Sequence, residues 1–347
     1  MVWAVVRSEH WSKAARSDTS TYGIPRDTSS LASLRSNVPD LEAMFARVAV
    51  ALLLAFLAAC ESGTNPPVTI PATYDLLYEG FRFDKNELYV LPLSGGEPTR
   101  ILPPGTVAYD PAPSPDGSKI AFTMILPTGA GDVFVVNRDG TGLTQLTDDE
   151  ESEDQPAWSP DGSKIAYRSF ELDREGDIFV MNANGTAKTN LTPDPLPGIT
   201  DEGNPAWAPD GARIAYRSTS GGDHDIWTMR ADGSEKQRLT NTPDFDTEPT
   251  WSPNGQTIAF RRSTTGVGSD IALVATTGGA VTRISMANEQ RTPQWTPDGT
   301  HIAFADQIGL SGTPQIWMMR PDGTGLSRLT TNDAWKGGAF PAFLKRR

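Results

Sequence analysis

The sequence predicts an all-β protein, a six-bladed β-propeller with four antiparallel strands per blade, closed by pairing of its N- and C-terminal strands. Three observations carry this expectation. First, one segment is written almost twice: QPAWSPDGSKIAYRS at 155–169 and NPAWAPDGARIAYRS at 204–218. Related copies begin at Pro111, Pro249 and Pro293, so the slot of Trp158 is held elsewhere by Pro113, Trp207, Trp251 and Trp295, at spacings of 44 to 49 residues. Second, each unit closes alike, with TQLT at 144–147, TNLT at 189–192, QRLT at 237–240, TRIS at 282–285 and SRLT at 327–330. A period near 45 residues is that of a four-stranded propeller blade. Third, 32 Gly and 28 Pro favour many short strands and turns over long helices.

Within one unit the elements follow in order. Residues 156–159 (PAWS) read as a short first strand. Pro160-Asp161-Gly162 is a tight turn, in which Pro presets φ, Asp caps locally and Gly takes φ > 0. Residues 164–167 form the second strand. A variable loop follows, then residues 177–181, apolar on both faces as a strand sandwiched between neighbouring sheets should be. The Asp opening this third strand (Asp132, Asp177, Asp225, Asp270) reads as a strand-entry turn residue. Asn184-Gly185 turns the chain again, and residues 189–192 make a short outer strand. The Trp and Ile-Ala-Phe positions read as packing between blades. Five such units start at Pro111. A sixth is divided between the ends: residues 74–81, 87–93 and 98–102 match strands two, three and four, and 340–343 (FPAF) matches QPAW. The C-terminal strand, residues 339–344, is therefore expected to complete the first sheet.

The units W-[ST]-P-D-G-x-x-I-A-F, D-[IV]-[FW] and D-G-x-x-x-x-L-T resemble the TolB-type, WD40-like β-propeller repeat over about residues 74–343. The Gly-His…Trp-Asp signature of ordinary WD repeats is absent. The resemblance implies a six-bladed propeller of the bacterial envelope that binds proteins. The TolB protein itself carries an α/β domain before its propeller. Here only a tether, residues 60–72, precedes the propeller of residues 73–347.

The N-terminus reads as an address. Arg47 is followed by an apolar run over 48–59 and then by Cys60, the only Cys of the chain. The run is too short to span a bilayer, which takes about 20 residues, and has the parts of a secretory signal. Leu57-Ala58-Ala59-Cys60 resembles the bacterial lipobox, which implies a signal peptide at 44–59 and a lipid on Cys60. Residues 1–43 are Ser-, Thr- and Arg-rich without apolar periodicity, and read as a mis-assigned start or a disordered leader. The expected place is the cell envelope, membrane-anchored through lipid, with the propeller facing the periplasm or the exterior as a monomer.

The balance of 30 basic against 43 acidic residues, a net charge of −13, excludes a nucleic-acid binder. One Cys excludes an internal disulfide, and three scattered His argue against a multi-histidine metal site. No G-x-S-x-G, P-loop or H-E-x-x-H occurs, so no catalytic residue is assigned.

In a propeller the loops entering the first strand of each blade gather around one mouth of the central channel, with the PDG turns at the other end. The entering loops are acidic: Asp148 to Asp154, Asp201-Glu202, Asp246-Thr247-Glu248 and Glu289. Glu171, Asp173, Glu175 and Asp223 add to them, and Arg291 and Lys336 are the cations nearby. His224 reads as a solvated side chain. The candidate mouth is Glu153, Asp154, Asp201, Glu202, Asp246, Glu248, Glu289 and Arg291. Three readings stay open: a solvated rim, a docking face for an envelope protein or cationic ligand, and a Ca²⁺ or carboxylate-catalytic site of a propeller hydrolase, phytase- or lactonase-like. The acids have no EF-hand-like spacing, so no cofactor is assigned, and Ca²⁺ is the one their chemistry would suit.

Overall fold

In the computed structural model the described residues are 73–82, 85–170, 175–193, 200–286, 289–306, 314–330 and 339–346. The segments expected to be leader, signal peptide and tether, with Cys60, and the predicted rim residues Glu171, Asp173 and Lys336, lie outside them. The described chain forms 24 strands in six four-stranded sheets. Blade 2 comprises β4 (Ala108–Pro113), β5 (Lys119–Ile125), β6 (Gly131–Asn137) and β7 (Thr144–Gln145). Blade 3 comprises β8 (Glu153–Trp158), β9 (Lys164–Ser169), β10 (Asp177–Asn182) and β11 (Thr189–Asn190). Blades 4, 5 and 6 repeat the order, starting at β12 (Glu202–Trp207), β16 (Phe245–Trp251) and β20 (Gln290–Trp295).

Blade 1 is closed by both ends of the chain. β24 (Ala339–Lys345) is its innermost strand and pairs with β1 (Tyr74–Arg82), which pairs with β2 (Lys85–Leu91) and then β3 (Thr99–Arg100). Phe343 faces Leu76 in the register in which Trp158 faces Ile165, so Phe343 does fill the Trp slot. Arg346 N–H donates to the Thr73 carbonyl at 2.6 Å. Arg346 and Arg138 both hold Asp75, and Arg138 also donates to the Lys345 carbonyl at 2.8 Å, tying the clasp to blade 2.

The core sits at the seams. Each apolar cluster draws on two adjacent sheets: Val133 and Val135 of blade 2 pack with Ile165, Tyr167 and Phe179 of blade 3. The closing seam joins Leu76, Tyr78 and Tyr89 of blade 1 to Ala305 and Ile316 of blade 6. A sheet buried on both faces gains from continuous apolar strands, which is why the third strands lack alternation.

The third-strand aspartates are not turn residues. Asp177 is the first residue of β10 and accepts from Thr192 Oγ1 at 3.0 Å and Asn190 Nδ2 at 2.8 Å, while Thr192 Oγ1 accepts the Ile178 N–H at 2.8 Å. The same clamp joins Asp225 to Thr240 and Arg238 in blade 4. The D-[IV]-[FW] and L-T motifs are thus the two halves of one clamp that pins the two-residue outer strand.

Candidate functional site

The first strands run from the mouth to the PDG turns and line a central channel of about 420 Å³. Its wall is layered. Asp110, Gln155, Asn204, Glu248, Thr292 and Phe340 form the layer nearest the mouth; a Pro follows, then Ala in four blades, Thr250 in blade 5 and Gln294 in blade 6; Trp158, Trp207, Trp251, Trp295, Phe343 and Pro113 lie toward the turns. The indoles also bind across seams: Trp158, Trp207 and Trp251 Nε1 donate to the carbonyls of Ala112, Ala157 and Ala206 at 3.0–3.2 Å.

The mouth layer has one backbone form. All six residues precede a Pro and have φ between 51° and 57°. A register shift follows each within the strand pair, as between Asp154 and Ala157. The Pro has no N–H to leave unpaired at such a bulge. Left-handed backbone suits Asn and Asp, and costs about 1–2 kcal/mol for other side chains, so something must hold it. The holding bonds link five of the six ring residues to the preceding blade. Gln155 N–H donates to Asp110 Oδ2 at 3.3 Å, Asn204 N–H to Gln155 Oε1 at 2.7 Å, Thr292 N–H to Glu248 Oε2 at 2.6 Å and Phe340 N–H to Thr292 Oγ1 at 3.3 Å. Phe340 has no acceptor to pass on. Glu79 of β1 replaces it, taking the Asp110 N–H on Oε1 at 2.6 Å, with Asn86 Nδ2 on its other oxygen at 3.2 Å.

Glu79 occupies the position held in the other second strands by Thr123, Arg168, Arg217, Arg261 and Ala305, each opposite the residue before the ring. Three adjacent blades thus bring arginines to the mouth. Asp201 bridges two of them, at 2.7 Å to Arg168 and 2.5 Å to Arg217. Gly203 leaves the room: a Cβ there would lie 2.9 Å from Arg217 Nε. Arg261 lies 3.6 Å from Glu248.

The predicted mouth acids divide by partner. Asp246 is fully buried and held by Arg262 at 2.8 and 2.7 Å. Glu289 pairs with Arg291 at 2.5 Å on the surface. Glu153 and Glu202 are buried between blades, where Ser169 Oγ donates at 3.3 Å and Ser218 Oγ at 2.5 Å. Asp154, Asp201 and Glu248 stay at the channel entrance. The rim is therefore a charge-paired network, and Arg168, Arg217, Arg261 and Arg262 were missed as its cations. Their signal is present in the repeats: Arg168, Arg217 and Arg261 directly follow Ile-Ala-Tyr/Phe, and Arg262 comes next in blade 5. His224 is also engaged: its Nδ1 lies 2.9 Å from Arg217 and its ring packs on Phe245 at 5.7 Å.

Electrostatics separates the acids further. Burial pushes Asp201 up, but Arg217 and Arg168 outweigh it and hold the carboxyl below its ordinary value. Burial and the Asp154 carboxylate push Asp110 up to about 7. Burial raises Asp154 to about 6 despite Arg168 and Arg217. Glu153 is raised to about 7, first by burial and then by Asp149 and Asp132. Burial and Asp110 raise Glu79 well above its usual range. Among the described residues no three or more His, Cys, Asp or Glu side chains gather to hold a metal ion.

The TolB beta propeller domain matches residues 65–200 and 195–309. Among solved structures, TolB from Acinetobacter baumannii is similar with TM-score 0.65 and 20% identity, over 79% of this chain and 67% of that one. A putative TolB from Agrobacterium tumefaciens gives 0.58 and 21%, over 77% and 91%. A chain of the nidogen/laminin complex gives 0.63 and 13%, over 78% and 98%. These identities carry the fold alone. No curated protein sequence matches. With the family match covering most of the chain, and six sheets closed by β24, this protein belongs to the TolB β-propeller domain family.

Proposed function

We propose that the protein is a binding or scaffold module of the cell envelope, held to a membrane by lipid on Cys60, that takes a protein partner or cationic ligand on its mouth face. One observation carries the reading. At the ring position the residue differs in every blade (Asp110, Gln155, Asn204, Glu248, Thr292, Phe340), while the Pro that follows it never does. Where a repeat keeps its frame and varies one channel-lining position, that position is free to serve a ligand. The family supports a protein partner and an envelope location. The calcium-dependent hydrolase reading finds no such support, since no metal-holding group of acids gathers among the described residues.

Affinity capture from envelope extract tests the module. Capture of one partner by the wild type, weakened by Asp201→Asn with Glu248→Gln, is the expected result; capture indifferent to both substitutions overturns the mouth as the binding face. The anchor is tested with labelled palmitate, which should enter the wild type and not Cys60→Ser. Equal labelling of the two removes the lipid from the proposal.

A further inference from the structure

His224 sits at the mouth in blade 4, one residue before the third strand opens at Asp225. Its Nδ1 lies 2.9 Å from Arg217 Nη1, and its ring packs on Phe245 with 5.7 Å between centroids. Its backbone is pinned to blade 5, since the His224 carbonyl accepts the Asp246 N–H at 2.8 Å. Among the described residues the side chain makes no other hydrogen bond. Motion at this point is therefore open to the side chain and not to the backbone behind it.

The pair fixes its own protonation state. A guanidinium has N–H donors and no acceptor. Arg217 must donate, so Nδ1 is the bare nitrogen and the ring proton sits on Nε2. A second proton can only go to Nδ1. Proton and Arg217 thus compete for one lone pair. Once the proton wins, the 2.9 Å bond is lost and two cations face each other.

The groups around the ring decide where a charged His224 would go. Burial first, and then Arg217, hold its pKa below the ordinary 6.5; Arg168 acts with them, and Asp201 and Asp223 against them. Asp201 is already taken by Arg168 at 2.7 Å and Arg217 at 2.5 Å. On the blade 5 side Asp246 is taken by Arg262, and Asp244 by Thr264 Oγ1 at 2.7 Å, with Arg262 3.6 Å away. Asp225, next along the chain, is taken by Arg238 and Thr240. Asp223 is exposed, adjoins His224 and makes no ion pair among the described residues. Gly222 before it has φ +114°, and a Cβ there would meet nothing within 4 Å, so this side of the loop is open.

We propose that His224 is a proton-operated latch on the mouth: neutral, it caps Arg217 and covers Phe245, and protonated on Nδ1 in acid it gives up both and turns toward Asp223. One proton is taken from solvent and none is released, while Arg217 keeps Asp201. The turn uncovers Phe245, already 41% exposed, and sets a new positive charge at the channel entrance. The latch itself needs no ligand; its effect on binding rests on the mouth being the binding face, and deepens that reading by naming what regulates it. Long-range 1H–15N NMR of the full chain labelled at histidine tests the latch without a partner, with His224→Gln identifying the resonance. Near pH 8 wild type should show the Nε2–H tautomer of His224 and a ring-to-ring NOE with Phe245. The ring should titrate below 6.5, and the NOE should be lost once it is protonated. Arg217→Gln should raise the midpoint. An Nδ1–H tautomer, a midpoint at or above 6.5, or an NOE that survives protonation overturns the proposal, and all three are read on wild type. A captured basic partner should lose more affinity between pH 7.5 and pH 5 in wild type than in His224→Gln; the difference is read because Asp110 and Asp154 titrate in the same window. Equal losses overturn the control of binding. If the latch fails while Asp201→Asn with Glu248→Gln still weakens capture, the latch falls and the mouth stands. If the latch titrates as stated and capture ignores those substitutions, the mouth falls and the latch stands.

Discussion

At the scale of single residues, the channel mouth stores cost in buried carboxyls. Asp110 and Glu153 are both held near 7, far above their ordinary values of 3.8 and 4.5. A raised carboxyl binds its proton more tightly folded than unfolded. Its stabilising share is complete below about pH 4 and is lost as pH rises through the folded value near 7. His224 and His301, held below 6.5 first by burial, act in the opposite sense around pH 6. The clean measurement is therefore a difference. Asp110→Asn should gain stability relative to wild type as pH goes from 5 to 8, on the order of 1 kcal/mol, or about 2–4 °C in Tm. A Tm difference that stays constant across that range would show that Asp110 ionises as readily folded as unfolded. Asp110 itself was legible only as the residue before a blade. Its raised pKa comes from burial and from Asp154 and Glu248, which are 44 and 138 positions away, so no local pattern could announce it.

At the scale of elements, the clasp and the bulged strands decide closure. β24 supplies an inner strand to blade 1, with Leu344 fully buried and Ala342 and Phe343 at 8% exposure. Removing residues 339–347 should destabilise by several kcal/mol, at about 25 cal/mol per Å² of apolar surface returned to water. A melting temperature within a degree or two of wild type would mean that the ends do not carry the closure. A milder probe reaches the same contact from the other side. Gly117 has φ +69° in the PDG turn of blade 2, and a Cβ there would lie 2.1 Å from the Lys345 carbonyl oxygen. Gly117→Ala should lower stability through both strain and displacement of the clasp, by about 1–3 kcal/mol, read as a fall in Tm. Gly162, in the same turn of blade 3, meets only Pro115 Cδ at 3.8 Å, so Gly162→Ala should cost less. Equal losses at the two sites would place the whole cost in the turn and none in the clasp. The turns and the clasp were readable because Pro-Asp-Gly and FPAF act within a few residues. The left-handed bulge was not, because the residue before each Pro is Asp, Gln, Asn, Glu, Thr or Phe, and only Asn and Asp hint at that backbone.

At the scale of the whole molecule, the acidic excess reads differently once paired. Asp201, Asp246 and Glu289 each hold an arginine at 2.5–2.8 Å, so the naked acidic field expected from the loops is reduced. What remains for a partner is the channel entrance around Asp154, Glu248 and Asp110. Binding of a basic surface there should still weaken with salt, since exposed charges are screened within about 8 Å at physiological ionic strength. Asp201→Asn should slow association more than it speeds dissociation. Surface plasmon resonance of a captured partner across a salt series measures both rates; rates that ignore salt would place the affinity in apolar contacts.

The sequence by itself determined the blade count, the turn chemistry, the Trp slot and the sharing of the first sheet between the two ends. These are written in residue type at a fixed period, and the physics that reads them is local. Tertiary structure alone decided which acids face the channel and which are buried. Glu153, Asp154 and Gln155 are consecutive, yet the first lies between blades, the second meets an arginine and the third holds the next blade's backbone. The bulge at each Pro sets that order, and closing the ring brings Arg168 to Asp201 across 33 positions. A charge pair between blades exists only after both sheets have formed and met, so its energy appears in no single segment of the chain.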